Sequence, residues 1–154
     1  MKTPFRKIKT ALVPIGVGKD GQAPLTIARA LASEVILVGI VAIGEGESVS
    51  AGAQTARLVR KRLSKLGESP SVHYKSTVIV SETPWQDMEE LIRRDKPELV
   101  IAEWENDRLA CGIPISDLLS NTLVNVLVVR GGSPMKFDKI LVAVRGGPHA
   151  ELAL

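Results

Sequence analysis

Residues 11–31, ALVPIGVGKDGQAPLTIARAL, predict a buried strand, a glycine-rich turn and an amphipathic helix. The first five residues are apolar, and Pro24 suits the first turn of a helix. The turn has three glycines, whose backbones reach conformations that a residue with a Cβ avoids: Gly16, Gly18 and Gly21. The apolar residues after the turn recur at helical spacing, namely Leu25, Ala28 and Leu31. This pattern is typical of the opening unit of a parallel α/β sheet.

The end of the chain repeats this pattern. Residues 140–154, ILVAVRGGPHAELAL, again run from an apolar strand through a glycine turn into a helix. Aligning Leu12 with Leu141 places the two copies 129 residues apart. We therefore expect one complete domain at 1–133, and at 134–154 the strand and first helical turn of a truncated second copy.

Composition limits the classes of protein that this chain can belong to. With 154 residues, 45% hydrophobic and 24% charged, it has the profile of one globular domain. The single cysteine, Cys111, excludes an internal disulfide and fits a reducing compartment. No apolar run reaches the roughly 18 residues of a membrane span, and no signal peptide is recognisable. We expect a cytoplasmic protein without direct membrane insertion; a net charge of +3 is weak support for nucleic acid, which we do not expect as a partner.

Strand and helix patterns alternate along the rest of the chain. Strands are predicted at 11–15, 34–43, 72–80, 99–102 and 124–129, and helices at 22–32, 51–66, from 84 to before Pro97, and at 116–121. Thr83 and Gln86 have the spacing of a capping box at the start of the third helix. The alternation predicts an α/β fold, a five-stranded parallel sheet with helices on both faces, extended by the strand at 139–144.

The turn at 16–21, GVGKDG, matches the GxGxxG pattern that brings backbone amides close to a diphosphate. In that interpretation Lys19 contacts a phosphate, and Glu45 or Glu47 binds a ribose. Against it, Pro14 interrupts the strand where a dinucleotide-binding strand continues its ladder. The alternative is a flexible turn that only reverses the chain.

Four apolar phrases occur in the same order as these elements: LVPI at 12–15, PELVIA at 97–102, NVLVVR at 125–130 and KILVAV at 139–144. Together they resemble the universal stress protein family. The resemblance implies a Rossmann-like five-stranded sheet of the universal stress protein or adenine nucleotide alpha hydrolase-like type. Tandem copies are common in that family, which agrees with the repeated start.

One branch of that family binds ATP, and the resemblance allows its site to be compared position by position. The aspartate that ends the first strand is replaced by Gly16, and by Arg145 in the second copy. Two glycines after the fourth strand correspond to Ala102 and Glu105. Gly112 matches a third glycine, but Ile113 replaces the hydroxyl residue after it, and the loop at 106–111 is shortened.

The resemblance therefore implies a degraded ATP site and no bound cofactor, because a carboxylate near the phosphates opposes binding. The residues that remain as candidates for nucleotide contact are Gly16, Gly18, Lys19, Gly21, Ala102 and Gly112. No catalytic set and no metal-ligand spacing is recognisable. Cys111 is expected as a small residue on a polar loop, His73 as a surface residue, and Trp104 as either a recognition residue or a cover for the end of the sheet.

Three functions follow from the sequence. The first is a non-enzymatic regulatory module that acts through a homodimer or through intramolecular pairing with a second repeat. The second is a nucleotide-binding module for ATP or AMP that uses the turn at 16–21. The third is a cytosolic regulatory domain excised from a transporter.

Overall fold

The computed structural model of the chain describes residues 8–68, 70–122 and 124–130. The strands are β1 (Ile8–Gly16), β2 (Ala32–Ala42), β3 (His73–Ser81), β4 (Leu99–Glu105), β5 (Arg108–Leu109) and β6 (Asn125–Arg130). The helices are α1 (Gln22–Leu31), α2 (Ala53–Leu66), α3 (Pro84–Asp95) and α4 (Ile115–Asn121), and a 3-10 helix at Val49–Gly52 precedes α2.

Five of the strands form a parallel sheet in the order β3–β2–β1–β4–β6. β5 adds a two-residue antiparallel hairpin to the end of β4. The predicted five-stranded parallel sheet is thereby confirmed, and β6 is its fifth strand. The predicted extra strand at 139–144 and the second unit at 134–154 lie outside the described residues.

The central strands are buried on both faces, as their near-continuous apolar sequences require. Side chains of β1 alternate between the two faces: Val13 packs with α1 and α2, whereas Leu12 packs with α3 and α4. Two apolar cores result, one on each side of the sheet. The prediction of helices on both faces is confirmed.

The distance between α2 and the sheet depends on Gly39 in β2. A Cβ on Gly39 would lie 2.3 Å from Cγ1 of Val59 and 3.2 Å from Cδ1 of Leu63, both on α2. Because a β-branched side chain such as Val59 has few alternative rotamers, it cannot easily move away. A glycine is needed here to let the helix approach the strand.

Two local predictions need correction. Thr83 is the N-cap residue of α3, but its side chain makes no capping hydrogen bond; instead the Thr83 N–H donates to the hydroxyl of Ser81 at 2.8 Å. The expected capping box is therefore absent. β4 continues past Ala102 to Glu105, because its last two residues pair with β5.

We predict that Gly39→Ala lowers the free energy of unfolding by about 1–3 kcal/mol, the usual effect of overpacking a core. Gly67→Ala is the matched control, because its Cβ would meet its nearest atoms at an ordinary 3.4 Å and its φ is −78°. Chemical denaturation of both variants measures the difference. Equal stability of the two would contradict the close approach at Gly39.

Candidate functional site

The order of the strands places the candidate site beyond the carboxyl ends of β1 and β4. The helices after β1 and β2 cover one face of the sheet, whereas those after β3 and β4 cover the other. In open α/β sheets, ligands bind in the crevice at such a switch point. The predicted turn at 16–21 and the loop after β4 both lie at this edge.

The ladder between β1 and β4 is short. Its register pairs are Ala11 with Leu99 and Leu12 with Val100, and in the described ranges it extends no further. The sequence suggested that Pro14 interrupts β1. This is wrong, because β1 pairs with β2 as far as Gly16. However, proline has no N–H group to donate to a neighbouring strand. Because the β1–β4 ladder ends at Leu12 and Val100, the carboxyl halves of these two strands border a crevice.

The segment at 106–114, called the crevice loop below, fills this space with main chain. A Cβ on Gly16 would lie 2.2 Å from the carbonyl oxygen of Ala110 and 2.8 Å from Cα of Cys111. The Ala110 N–H donates to the carbonyl of Glu103 in β4 at 2.7 Å. Thus no side chain fits at Gly16 without moving the loop.

Hydrogen bonds within the crevice loop hold its shape. The Leu109 N–H donates to the carbonyl of Ile113 at 2.9 Å, and the Gly112 N–H donates to the carbonyl of Leu109 at 2.8 Å. The guanidinium of Arg108 donates to the carbonyl of Gly112 at 3.1 Å. Gly112 has φ +89°, a left-handed conformation that favours glycine. Its main role in the structure is to shape this turn.

Cys111 is buried in the core on the α3 and α4 side, not placed on a polar loop as expected. The reason is that Leu109 and Ile113, on either side of it, anchor the loop in that core. Burial raises the pKa of the Cys111 thiol to about 11. Because the thiolate is the reactive form, the side chain is a poor nucleophile at neutral pH.

Charged side chains surround the open rim of the crevice. The ammonium group of Lys19 forms an ion pair with the carboxylate of Glu105. Burial is the main cause that raises the pKa of Glu103, and the negative charge of Asp20 is the second. The positive charge of Lys19 acts in the opposite direction and lowers this pKa. A cavity of about 290 Å³ lies here, lined by Lys19, Glu103, Trp104, Glu105, Asn106 and Arg130. With Asp20 included, the rim has three carboxylates against two cations, and Lys19 already has a carboxylate partner.

Asp20 is a residue that the sequence analysis missed. Its carboxylate accepts a hydrogen bond from the Gln22 N–H at 3.1 Å, at the amino end of α1. Helix amino ends favour anions, so Asp20 occupies a position where a phosphate would otherwise gain most. Aspartates in turns commonly accept a hydrogen bond from the main chain two residues on, and this Asx-turn signal could have identified it.

The other predicted nucleotide-site residues have structural roles. Gly18 and Gly21 have φ values of +76° and +65° in the turn, and Ala102 is fully buried in β4. Of the two residues expected to bind a ribose, Glu45 is exposed, and Glu47 accepts from the Gly44 N–H at 2.8 Å and so closes its own turn. Lys19 and Gly112 lie at the crevice edge, in the contacts given above. Gly16 and Lys19 are joined by a hydrogen bond from the Lys19 N–H to the Gly16 carbonyl at 3.3 Å, whereas Ala102 is enclosed.

Two further side chains that the sequence singled out lie on the surface. His73 is exposed at the start of β3, and Trp104 is 42% exposed beside the cavity at the rim. Among the described residues there is no group of three or more His, Cys, Asp or Glu side chains that could hold a metal ion. Within the same ranges no helix combines the length and the apolar character needed to cross a bilayer.

We predict that Gly16→Ala displaces the crevice loop, because the new methyl group would clash with a main-chain oxygen. The free energy of unfolding should fall by about 3 kcal/mol. Alkylation of Cys111 by iodoacetamide should become faster in the folded protein, since the loop buries the thiol. Gly67→Ala is again the control. A Gly16→Ala variant as stable and as unreactive as the parent would contradict the proposed packing.

The fold was compared with known proteins. No protein-family model matches the sequence, and no curated protein matches it. Among solved structures, the universal stress protein UspA from Lactobacillus plantarum is 17% identical with a TM-score of 0.56, over 81% of this chain and 99% of that one.

Two further structures of this fold were solved with nucleotides. A universal stress protein in complex with cAMP is 15% identical, with a TM-score of 0.54, over 81% of this chain and 98% of that one. An AMP-bound universal stress protein family member from Arabidopsis thaliana is 11% identical, with a TM-score of 0.50, over 84% and 97% of the two chains. At such identities the likeness establishes the fold. This chain has the fold of the universal stress proteins.

Proposed function

We propose that this chain is a universal-stress-type regulatory module of the cytoplasm, which acts by dimerisation or tandem pairing and not by catalysis. Its ATP site is degraded. The observation that carries this proposal is the main-chain contact between Ala110 and Gly16, which closes the crevice at the switch point. A fold whose usual ligand crevice is filled by its own backbone must act through other surfaces.

The charges at the rim support the same conclusion. A nucleotide phosphate entering here would meet the carboxylates of Asp20, Glu103 and Glu105. Like charges at short distance disfavour binding, and Lys19 would have to leave Glu105 before it could contact the phosphate. The amino end of α1 would also have to exchange the Asp20 carboxylate for the ligand. Each of these steps opposes nucleotide binding.

The surface best suited to pairing is the edge of the sheet at β6. Within the described ranges β6 pairs on one side only, with β4, and its central residues, VLVV at 126–129, are half-buried. An apolar edge strand exposes N–H and C=O groups that a strand from another chain or repeat can satisfy. This supports an interface that includes β6.

Nucleotide binding is the second candidate, because two proteins of the same fold were solved with cAMP and with AMP. In this chain Lys19 and Arg130 lie on the cavity of about 290 Å³ at the rim. A phosphate could bind between these two cations if Glu105 released Lys19. The turn at Gly18 would then border the ligand.

We predict that isothermal titration calorimetry with AMP, ATP and cAMP gives no saturable binding, because the crevice is filled and its rim is acidic. Glu105→Gln frees Lys19 while leaving the crevice loop in place, and we expect it to remain without affinity for all three nucleotides. Saturable micromolar binding to the parent chain, abolished by Gly18→Val, would instead favour the second candidate.

We predict that sedimentation velocity detects concentration-dependent self-association, and that Val128→Lys weakens it by placing a charge on the edge strand. Val128 is half-buried in β6. Val49→Lys is the matched control, because Val49 is 65% exposed and lies beside β3, the opposite edge of the sheet. A monomer at all concentrations, or equal effects of both substitutions, would contradict an interface at β6.

A further inference from the structure

The outer surface of α2 has a concentration of charge that the proposed function does not use. The helix, AQTARLVRKRLSKL, has five cationic side chains and no acidic one. This exceeds the net charge of +3 of the whole chain, so the remaining residues together are net acidic. The five cations are called the basic face below: Arg57, Arg60, Lys61, Arg62 and Lys65.

The basic face lies opposite the helix surface that packs on the sheet. The buried stripe of α2 consists of Ala56, Val59, Leu63 and Leu66. Four of the five cations are exposed, and Arg62 is half-buried. A shallow surface concavity of about 480 Å³ is lined by Arg57, Arg60, Lys61, Ser64 and Lys65, with Glu68 as its one acidic residue. The cations are therefore presented together to the solvent.

Within the described ranges these cations lack the ion-pair partners that α3 provides for its arginines. On α3, Arg93 pairs with Glu89 at 3.1 Å and Arg94 pairs with Asp95 at 2.8 Å. In the described part of the chain no residue of the basic face takes part in an ion pair. Like charges four residues apart, as in Arg57–Lys61, destabilise a helix. An anionic partner would relieve this repulsion.

Leu58 indicates which kind of anionic partner fits. It is 65% exposed and lies one helical turn before Lys61 and Arg62, among the cations. A nucleic acid would satisfy the cations but leave Leu58 in water, and α2 has no aromatic side chain to stack on bases. The headgroup region of an anionic bilayer can contact the cations while its acyl boundary receives the leucine.

We propose that the basic face of α2 docks this domain reversibly on an anionic lipid bilayer, with the helix axis along the membrane plane and Leu58 at the contact. Such peripheral docking requires no membrane-spanning segment. α2 packs against β2 and β3, at the opposite edge of the sheet from β6. Docking therefore leaves β6 free for pairing, and it does not depend on the state of the crevice.

The test is co-sedimentation with vesicles of phosphatidylcholine alone and of phosphatidylcholine mixed with phosphatidylglycerol. We expect binding to the mixed vesicles only, weakened by salt. The double variant Arg57→Gln/Lys61→Gln should lower the partition coefficient roughly 30-fold, since each cation near an anionic surface contributes about a factor of five. Leu58→Ser should lower it about fivefold, from partial loss of one apolar side chain.

The matched control is Arg93→Gln/Arg94→Gln, which removes the same charge from α3 and should leave binding unchanged. All the substituted residues are exposed, and circular dichroism checks that each variant folds. Binding to neither kind of vesicle, or equal binding to both kinds, would overturn the proposal. An equal loss in the α3 control would do the same, and so would an unaffected Leu58→Ser. Salt-dependent binding to duplex RNA with none to vesicles would identify a nucleic acid as the partner instead.

Discussion

The carbonyl group of Ala110 occupies the space where a side chain on Gly16 would project, and the organisation of this sheet edge depends on that contact. Because Gly16 has no Cβ, the crevice loop can lie between the carboxyl ends of β1 and β4. This position of the loop buries Cys111, and it allows the main-chain N–H of Ala110 to donate to the carbonyl of Glu103. One absent side chain therefore determines the packing of a whole loop.

Charge is distributed unevenly over the molecule, and this separates its surfaces. The carboxyl edge of the sheet has Asp20, Glu103 and Glu105 around two cations, Lys19 and Arg130, of which Lys19 is paired with Glu105. α2 has five cations and no acid. We therefore infer that an anionic ligand is disfavoured at the position where α/β folds usually bind one, and that the outer surface of α2 attracts it instead.

The sequence was sufficient to predict the sheet because its signals are periodic. A continuous apolar run predicts that β1 and β2 are buried on both faces. Apolar residues at a 3.6-residue period predict which side of α2 is buried. The site was harder to predict, because its key contact joins two main-chain segments. The alternation of side chains contains no information about the position of the Ala110 carbonyl. The polar residues at 105–108, shortly before Cys111, favoured an exposed loop.

The crevice loop lowers ligand affinity in a different way from the loss of a single contact, because it competes with the ligand for the same space. A ligand can bind only to molecules in which the crevice loop is displaced. Its apparent affinity is therefore its intrinsic affinity multiplied by the fraction of molecules with the loop displaced. If the loop were open in about 1% of molecules, binding would weaken roughly 100-fold before any contact was lost. The acidic rim adds to this penalty because it also opposes anions in the open state. We therefore expect that a substitution at one crevice residue does not create nucleotide affinity, since the loop and the rim each oppose the ligand.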